Sequence, residues 1–360
     1  MREGLGAVER AITGSQNLPI LKNVLLETRN NKIKLAATNL ELGITKFISG
    51  KIIEEGATTV PFDVFSSIVA HVDSERVELS TKDATLFFKT DNYEAKIQGI
   101  DVREFPIIPA IGDKEHYIEM DGEVLAGAVE QIAAAAHPSE IRPEISGVLF
   151  DYQLTLFKTV ATDTFRLGEK IVSEPQFKGT FEKGFRAIIP LHAAHELLRI
   201  FSRKETIRVF FDSNQVLFEN NDTQLISRLI DGEYPDYEAI IPSQHATTLV
   251  LERDRFIAAL RLVSSFSGKI NEVKFKLREG KTLEIYSASQ YVGENNYLIP
   301  VKSNGTKFDD ITFNWRYLLD GLKSAVGEQI QMGITDAAHP VLLMSPDDHS
   351  YRYVLMPIKA

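Results

Sequence analysis

The sequence predicts an α+β fold made of three tandem copies of one domain, each with two helices set against antiparallel strands. The first observation behind this is a passage that occurs three times. Its middle copy runs from Gly147-Val148-Leu149-Phe150 to Ala161-Thr162-Asp163-Thr164-Phe165-Arg166-Leu167, an apolar strand, a polar turn, an alternating strand and a short loop. An earlier copy runs from Val24-Leu25-Leu26 to Ala37-Thr38-Asn39, and a later one from Val273-Lys274-Phe275 to Tyr286-Ser287-Ala288. The second observation is constant spacing: the landmarks lie thirteen apart within each copy (37−24, 161−148, 286−273), and the copies lie 124 (148−24) and 125 (273−148) apart. That period exceeds the roughly 20–50 residues of solenoid repeats and matches a small domain. The third is that each copy is followed by another helix and a strand meander in the same order, so that two helices cover one side of antiparallel strands.

The first domain, residues 1–115, opens on Arg2 to Ile12, where Leu5, Val8, Ala11 and Ile12 share one helical face. Leu18-Pro19-Ile20-Leu21 leads into the first strand pair, and Ile44 to Ile53 alternates less regularly. Val60-Pro61 opens a helix whose apolar face is Phe62, Phe65, Ile68 and Val69; proline in a first turn forfeits no hydrogen bond. Strands are expected over 76–80, 85–89 and 93–100, with Phe105-Pro106 closing the domain. The second domain, 116–243, repeats the order: strand 116–120, helix 123–136, the duplicated strands, helix 191–201, and strands 207–211, 215–219 and 224–230, before the Asp231-Gly232 turn and Tyr234-Pro235. The third, 244–360, gives strand 247–251, helix 253–266, the third strand pair, helix 314–325, and strands 329–334, 340–344 and 351–356. The first domain departs from this plan, because Met1 stands directly before its helix and no opening strand precedes it.

The chain has 360 residues, 44% hydrophobic and 25% charged, which allows three cores. Zero cysteines exclude disulfides, thiolate metal sites and a cysteine nucleophile, and suit a reducing compartment. No apolar run approaches the roughly 18–20 residues of a membrane helix, and Met1-Arg2-Glu3-Gly4 begins no signal peptide, so a cytoplasmic protein without membrane contact is expected. The formal charge of −10 argues against binding nucleic acid by bulk electrostatics, so any DNA contact must be local or independent of affinity.

Catalytic chemistry finds little support. His192, His195 and Glu196 read His-x-x-His-Glu rather than the His-Glu-x-x-His of a zinc helix, and no third ligand is evident. Gly4-Leu5-Gly6 precedes no βαβ unit, and there is no Gly-rich loop ending in Gly-Lys-Ser/Thr. Asp309-Asp310 and Asp347-Asp348 fall in turns expected to be solvated. Asp163 lies in a recurring loop where the other copies carry Asn39 and Ala288. Neither a metal nor a cofactor is expected.

Four stretches, Leu18-Pro19-Ile20-Leu21-Lys22-Asn23, Val160 to Leu167, Leu229-Ile230-Asp231-Gly232-Glu233-Tyr234-Pro235-Asp236-Tyr237 and Tyr353-Val354-Leu355-Met356-Pro357-Ile358, closely resemble the bacterial DNA polymerase III beta subunit, the replicative sliding clamp. The resemblance spans the chain from Arg2 to its end. It implies a non-catalytic, head-to-tail homodimer of three-domain subunits closing a six-domain ring around duplex DNA, with helices lining the hole. A closed ring holds DNA topologically, which removes the objection raised by the acidic charge.

By this resemblance the DNA-facing residues are Arg199, Arg203, Lys204, Arg253, Arg255, Arg261, Lys269, Arg316 and Lys323, with contact weak and biased to the third domain. The helix after Asp121 carries Glu123 and Glu130 instead, and Ser15 and Gln16 occupy a region where the family often has Arg. A peptide pocket is implied at Arg142, Ile145, Thr162, Thr164, Phe165, Arg166, Leu167, Pro235, Ile240, Pro340, Val354, Met356 and Pro357. There the replicative polymerase, the clamp loader and other replication and repair proteins insert a short apolar motif, and Arg166 or Arg142 holds a peptide carbonyl or carboxylate. Thr164-Phe165 replace the family's common Gly-His, and Ala239 stands where a basic residue is frequent, so a bulkier or less acidic peptide is expected. The dimer interface is expected at Tyr93, Ala95 and Ile97 of one copy against Leu262, Phe266 and Val273 of the other, near the strand 271–277. Two rival readings are a monomeric clamp-like peptide binder and a hydrolase using Asp163 and nearby histidines.

Overall fold

The computed structural model describes residues 1–12, 18–29, 31–201 and 203–359; Ser15 and Gln16 lie outside them. Six α-helices are described: α1 (Arg2–Val8), α2 (Phe62–His71), α3 (Gly122–Ala133), α4 (Leu191–Ile200), α5 (Arg253–Ser264) and α6 (Trp315–Ser324). The chain divides into two compact units, and α3 and α4 cross the division. One unit holds Met1–Glu123, Lys178–Phe181 and His195–Leu229; the other holds Val124–Phe177, Glu182–Ala194 and Ile230–Ala360.

The first unit is built on a nine-stranded antiparallel sheet. From one edge its strands are Phe177–Gly179, Ile118–Asp121, Thr206–Phe211, Gln215–Glu219, Thr223–Arg228, Leu42–Ser49, Lys32–Thr38, Asn23–Arg29 and Ala57–Pro61. Its middle seam pairs Leu42–Ser49 with Thr223–Arg228, Leu42 opposite Ser227 and Lys46 opposite Thr223. A separate three-stranded sheet, Glu78–Lys82, Thr85–Lys89 and Glu94–Gln98, ends on Glu94–Gln98, which is hydrogen-bonded on one side only. α1 buries Leu5 and Val8, and Gly4 lets it approach Leu35; α2 buries Phe65, which meets Phe88 edge-on at 6.4 Å. Each such side chain contributes about 1.5–3 kcal/mol through burial. Pro61 ends a strand rather than sitting in the first turn of α2, pairing with Asn23.

The second unit repeats the plan. Its nine-stranded sheet runs Phe185–Pro190, Gly147–Tyr152, Leu156–Thr162, Arg166–Ser173, Tyr351–Leu355, Val341–Met344, Gln329–Ile334, Thr247–Glu252 and Lys302–Gly305. Here the seam is Arg166–Ser173 against Tyr351–Leu355, with Arg166 opposite Leu355. A four-stranded sheet, Gly293–Pro300, Thr282–Ser289, Glu272–Arg278 and Ile311–Asn314, ends on Gly293–Pro300, again bonded on one side only. Alternation along Leu156–Thr162 assigns its faces. Thr159 turns toward α3 and donates to the Ala128 carbonyl at 2.8 Å. Val160 turns the other way into a buried cluster with Leu149, Leu167, Ile188, Tyr234, Tyr237, Leu342 and Val354. The segment after Asp231-Gly232 therefore lies across this sheet, its two tyrosines inserted. Tyr237 is anchored by donating to Asp151 Oδ2 at 3.0 Å.

Candidate functional site

The recurring loop is held by its own side chains. The Thr162 hydroxyl donates to the Arg166 carbonyl at 2.7 Å and accepts from the Thr164 amide at 3.2 Å. Asp163 Oδ1 accepts from the amides of Phe165 and Arg166, each at 3.0 Å. Closing so tight a loop puts Thr164 at φ 76°, a left-handed conformation that disfavours a β-branched residue. Phe165 is thereby turned outward and 58% exposed, while its carbonyl accepts from the Met356 amide at 2.8 Å.

Arg166 is held by two carboxylates. Its side chain is 9% exposed; its Nε donates to Asp163 Oδ2 at 2.8 Å and its Nη1 to Asp320 Oδ2 at 2.5 Å. Its guanidinium carbon sits 4.2 Å from the Tyr317 ring centre. Burial works against the charge, but Tyr353, Asp320 and Asp163 together raise the pKa, so Arg166 keeps its proton. Gly321 makes the arrangement possible: a Cβ there would collide with the Tyr353 ring, so only glycine lets α6 come this close. Tyr353 also donates to the Tyr317 carbonyl at 2.9 Å. Two of the five guanidinium N–H donors are thus engaged within the protein, by Asp163 and Asp320. Sequence reasoning missed Tyr317 and Asp320; the one available signal was that Asp320 is the only carboxylate on amphipathic α6.

The other expected pocket residues separate into two layers. Leu167, Val354 and Ile145, at 2%, 1% and 4% exposed, and Pro357 are buried. They lie beneath the exposed residues of the set. Thr162 is likewise buried in the loop. Thr164, Phe165 and Ile240 are exposed, and Pro235, Pro340 and Met356 are half-buried. Pro235 lies between the two inserted tyrosines, and Pro340 lies one step beyond the Val341–Leu355 pair, beside Met356. Arg142 is exposed at the rim, its Nε 3.0 Å from Glu144, whose Cβ packs against Gly232.

Among the expected DNA-facing residues, Lys204, Arg255, Arg261, Lys269 and Lys323 are exposed and form no ion pair among the described residues. Arg316 is exposed over the Trp315 ring. Arg199 pairs with Glu196 and Arg203 with Glu3, each at 3.1 Å, while Arg253 donates to the Ala325 carbonyl at 2.5 Å and pairs with Asp254. Of the expected interface residues, Tyr93 and Leu262 are 41% and 58% exposed, and Ala95 and Phe266 are half-buried. Ile97 and Val273 are 4% and 0% exposed, so they belong to their own cores. The strand Glu272–Arg278 is hydrogen-bonded on both sides and cannot accept another; the edge strands of that sheet are Gly293–Pro300 and Ile311–Asn314, and the sequence did not mark Gly293–Pro300 as one.

Among the described residues no three His, Asp or Glu side chains gather as metal ligands, and no helix is long and apolar enough to cross a membrane. Domain triplication, sheets continued from one copy into the next and an outward apolar face over a fixed loop define the class: a repeated-domain binding scaffold of the clamp type. Three family models, the N-terminal, central and C-terminal domains of the DNA polymerase III beta subunit, match residues 1–109, 119–236 and 238–359. The chain belongs to the DNA polymerase III beta subunit family, whose members are non-catalytic. It is 29% identical over 364 residues to the Beta sliding clamp of Staphylococcus epidermidis, covering 97% of this chain and 94% of that one. With the Beta sliding clamp of Bacillus subtilis it shares 25% identity over 369 residues, covering 99% and 97%. The crystal structure of the Thermotoga maritima DNA polymerase III beta subunit superposes with a TM-score of 0.90 at 26% identity, covering 100% of this chain and 97% of that one. A Pseudomonas aeruginosa sliding clamp bound to griselimycin gives 0.93 at 22%, covering 100% and 97%.

Proposed function

We propose that this chain is a sliding clamp: a homodimeric ring that encircles duplex DNA and tethers the replicative polymerase, with no chemistry of its own. The observation that carries it is a pairing rule. Leu42–Ser49 of the first copy pairs with the last strand of the second, and Arg166–Ser173 of the second pairs with the last strand of the third. The corresponding strand of the third copy, Gly293–Pro300, and the last strand of the first, Glu94–Gln98, each have one open side. Two chains set head to tail satisfy each other, closing the set at six domains. Carrying the register over from Leu42–Ser227 and Arg166–Leu355 sets Glu294 opposite Ile97 and Asn296 opposite Ala95. The same pairing brings Leu262 and Phe266 to a cavity of about 530 Å³ lined by Ser67, Ile68, His71, Val72, Asp73, Asn92 and Tyr93. Leu262 and Phe266 flank the third-copy edge, since Asn295 donates to the Leu262 carbonyl at 3.2 Å and Phe266 lies against Gly293.

Within this reading the domains are 1–115, 116–243 and 244–360, and Lys204, Arg255, Arg261, Lys269, Arg316 and Lys323 meet phosphate. The face around Phe165, Ile240 and Met356 takes an apolar peptide from the polymerase, the clamp loader and repair proteins in the cytoplasm. Burying one or two large side chains, at about 1.5–3 kcal/mol each, gives the roughly micromolar affinity that exchangeable partners need.

A cysteine-free chain makes the test direct. Opposed strand residues have Cα atoms about 4.5–5.5 Å apart, within disulfide range. Ala95→Cys combined with Asn296→Cys is expected to give a covalent dimer on oxidation, at twice the 40.4 kDa chain mass. A wild-type chain that sediments as a monomer at every concentration, with no cross-link in the variant, would overturn the ring and leave a monomeric peptide binder.

A further inference from the structure

The peptide face contains an arginine already held by two carboxylates. Arg166 stands at the edge of the outward apolar face, yet Asp163 and Asp320 occupy its guanidinium and Tyr317 covers one side. Arg166 and Asp163 together are neutral, so Asp320, still 34% exposed, leaves one negative charge at that edge. Three cations on the neighbouring strands and loops are committed as well, Arg142 to Glu144, Lys158 to Glu238 at 2.6 Å and Arg186 to Asp151 at 3.2 Å, while Arg316 and Lys323, one turn before and after Asp320 on α6, are exposed and form no ion pair among the described residues. The segment supplying Pro235 and Ile240 adds Asp231, Glu233 and Asp236, all exposed and without an ion pair among the described residues, and no basic residue.

We propose that Asp320 is a specificity-determining residue: by holding Arg166 it turns the peptide face against acidic partners and selects segments whose apolar anchors are flanked by neutral or basic side chains. This rests on the reading of the face as a peptide site. Asp320 acts through Arg166 and through its own exposed oxygen, so removing its charge frees part of a guanidinium and deletes a repulsion together. Both changes favour a peptide carboxylate and leave apolar contacts alone.

The test uses the full chain and two fluorescein-labelled peptides with identical leucine and phenylalanine anchors, one flanked by Asp and one by Lys. Fluorescence anisotropy at about 20 mM salt should show the Lys peptide binding about fivefold tighter, with the ratio falling toward one at about 500 mM. Asp320→Asn should strengthen the Asp peptide and lower the low-salt ratio by at least twofold, whereas Asp320→Glu should restore it. Equal affinities for wild type, or an Asp320→Asn ratio equal to that of wild type, would overturn the proposal; Asp320→Ser gives the same reading where the asparagine variant fails to fold. Phe165→Ala leaving both affinities unchanged would instead overturn the peptide reading beneath it.

Discussion

The loop Thr38–Leu42 of the first copy and the loop Thr162–Arg166 of the second share one hydrogen-bond scheme. Thr38 donates to the Leu42 carbonyl at 2.8 Å and accepts from the Leu40 amide at 3.0 Å, as Thr162 does with Arg166 and Thr164. Asn39 Oδ1 accepts from Glu41 and Leu42 at 3.1 and 2.7 Å, as Asp163 Oδ1 does from Phe165 and Arg166. Even the strained position matches, with φ 77° at Leu40 and 76° at Thr164. The difference lies in what the turn leaves over. Asp163 has a second anionic oxygen, which takes Arg166, where the first copy has Leu42, a buried residue that makes no such pair. Folding uses one hydroxyl and one side-chain oxygen; the second oxygen of Asp163 is left to hold Arg166.

Arg166→Ala should have the largest effect. It strands Asp163, whose side chain is 7% exposed, and Asp320, and should cost about 3–5 kcal/mol in urea unfolding. Installing the first copy's pair, Arg166→Leu with Asp163→Asn, should recover most of that; a double variant no better than Arg166→Ala breaks the comparison. Thr162→Val and Thr38→Val each remove one donor and one acceptor from a closed turn. They should cost about 1–2 kcal/mol apiece and agree within about 0.5 kcal/mol. Thr164→Gly and Leu40→Gly relieve the left-handed strain and should raise stability by up to about 1 kcal/mol, more at the β-branched Thr164. Unequal hydroxyl costs, or loss of stability in either glycine variant, would show that the two turns are not equivalent.

The smallest difference is one of pH. Glu169, 1% exposed on Arg166–Ser173, occupies the place of buried Thr45 in the first copy. Burial raises the Glu169 pKa, against the pull of Arg352 and Lys158. Between the unfolded and folded values the native chain therefore holds a proton that the unfolded chain has lost. Glu169 accordingly favours folding at acid pH, and that contribution fades as pH rises through its folded value. Urea unfolding across the carboxylate range should show Glu169→Gln gaining on wild type as pH increases, while Thr45→Val leaves the pH slope unchanged.

The threefold architecture was legible because apolar alternation and turn chemistry recur at fixed spacing, and most helices and meander strands fall within a few residues of their expected places. The free edge Gly293–Pro300 was not legible. Its residues Gly-Glu-Asn-Asn-Tyr-Leu-Ile-Pro alternate poorly because a lone outer strand buries little. Which of the expected pocket residues reach solvent was not legible. Leu167 and Val354 read like contact residues because they are apolar, and their burial depends on Tyr234 and Tyr237 arriving from elsewhere in the chain. Arg166 read as a free cation because its second carboxylate, Asp320, lies 154 positions away.

The two open strands have a consequence for the life of a single chain before it meets its partner. A bare edge is a template for any extended segment, and proteins protect such edges with short length and charge. Glu94-Ala95-Lys96-Ile97-Gln98 is five residues long and alternates charge with apolar or polar neighbours; its counterpart begins Gly293-Glu294-Asn295-Asn296. Neither offers the long apolar ribbon on which stray strands accumulate. A newly made chain can therefore wait at low concentration, unattractive to most of what it meets, for the one surface whose contour and spacing fit both of its unfinished ends.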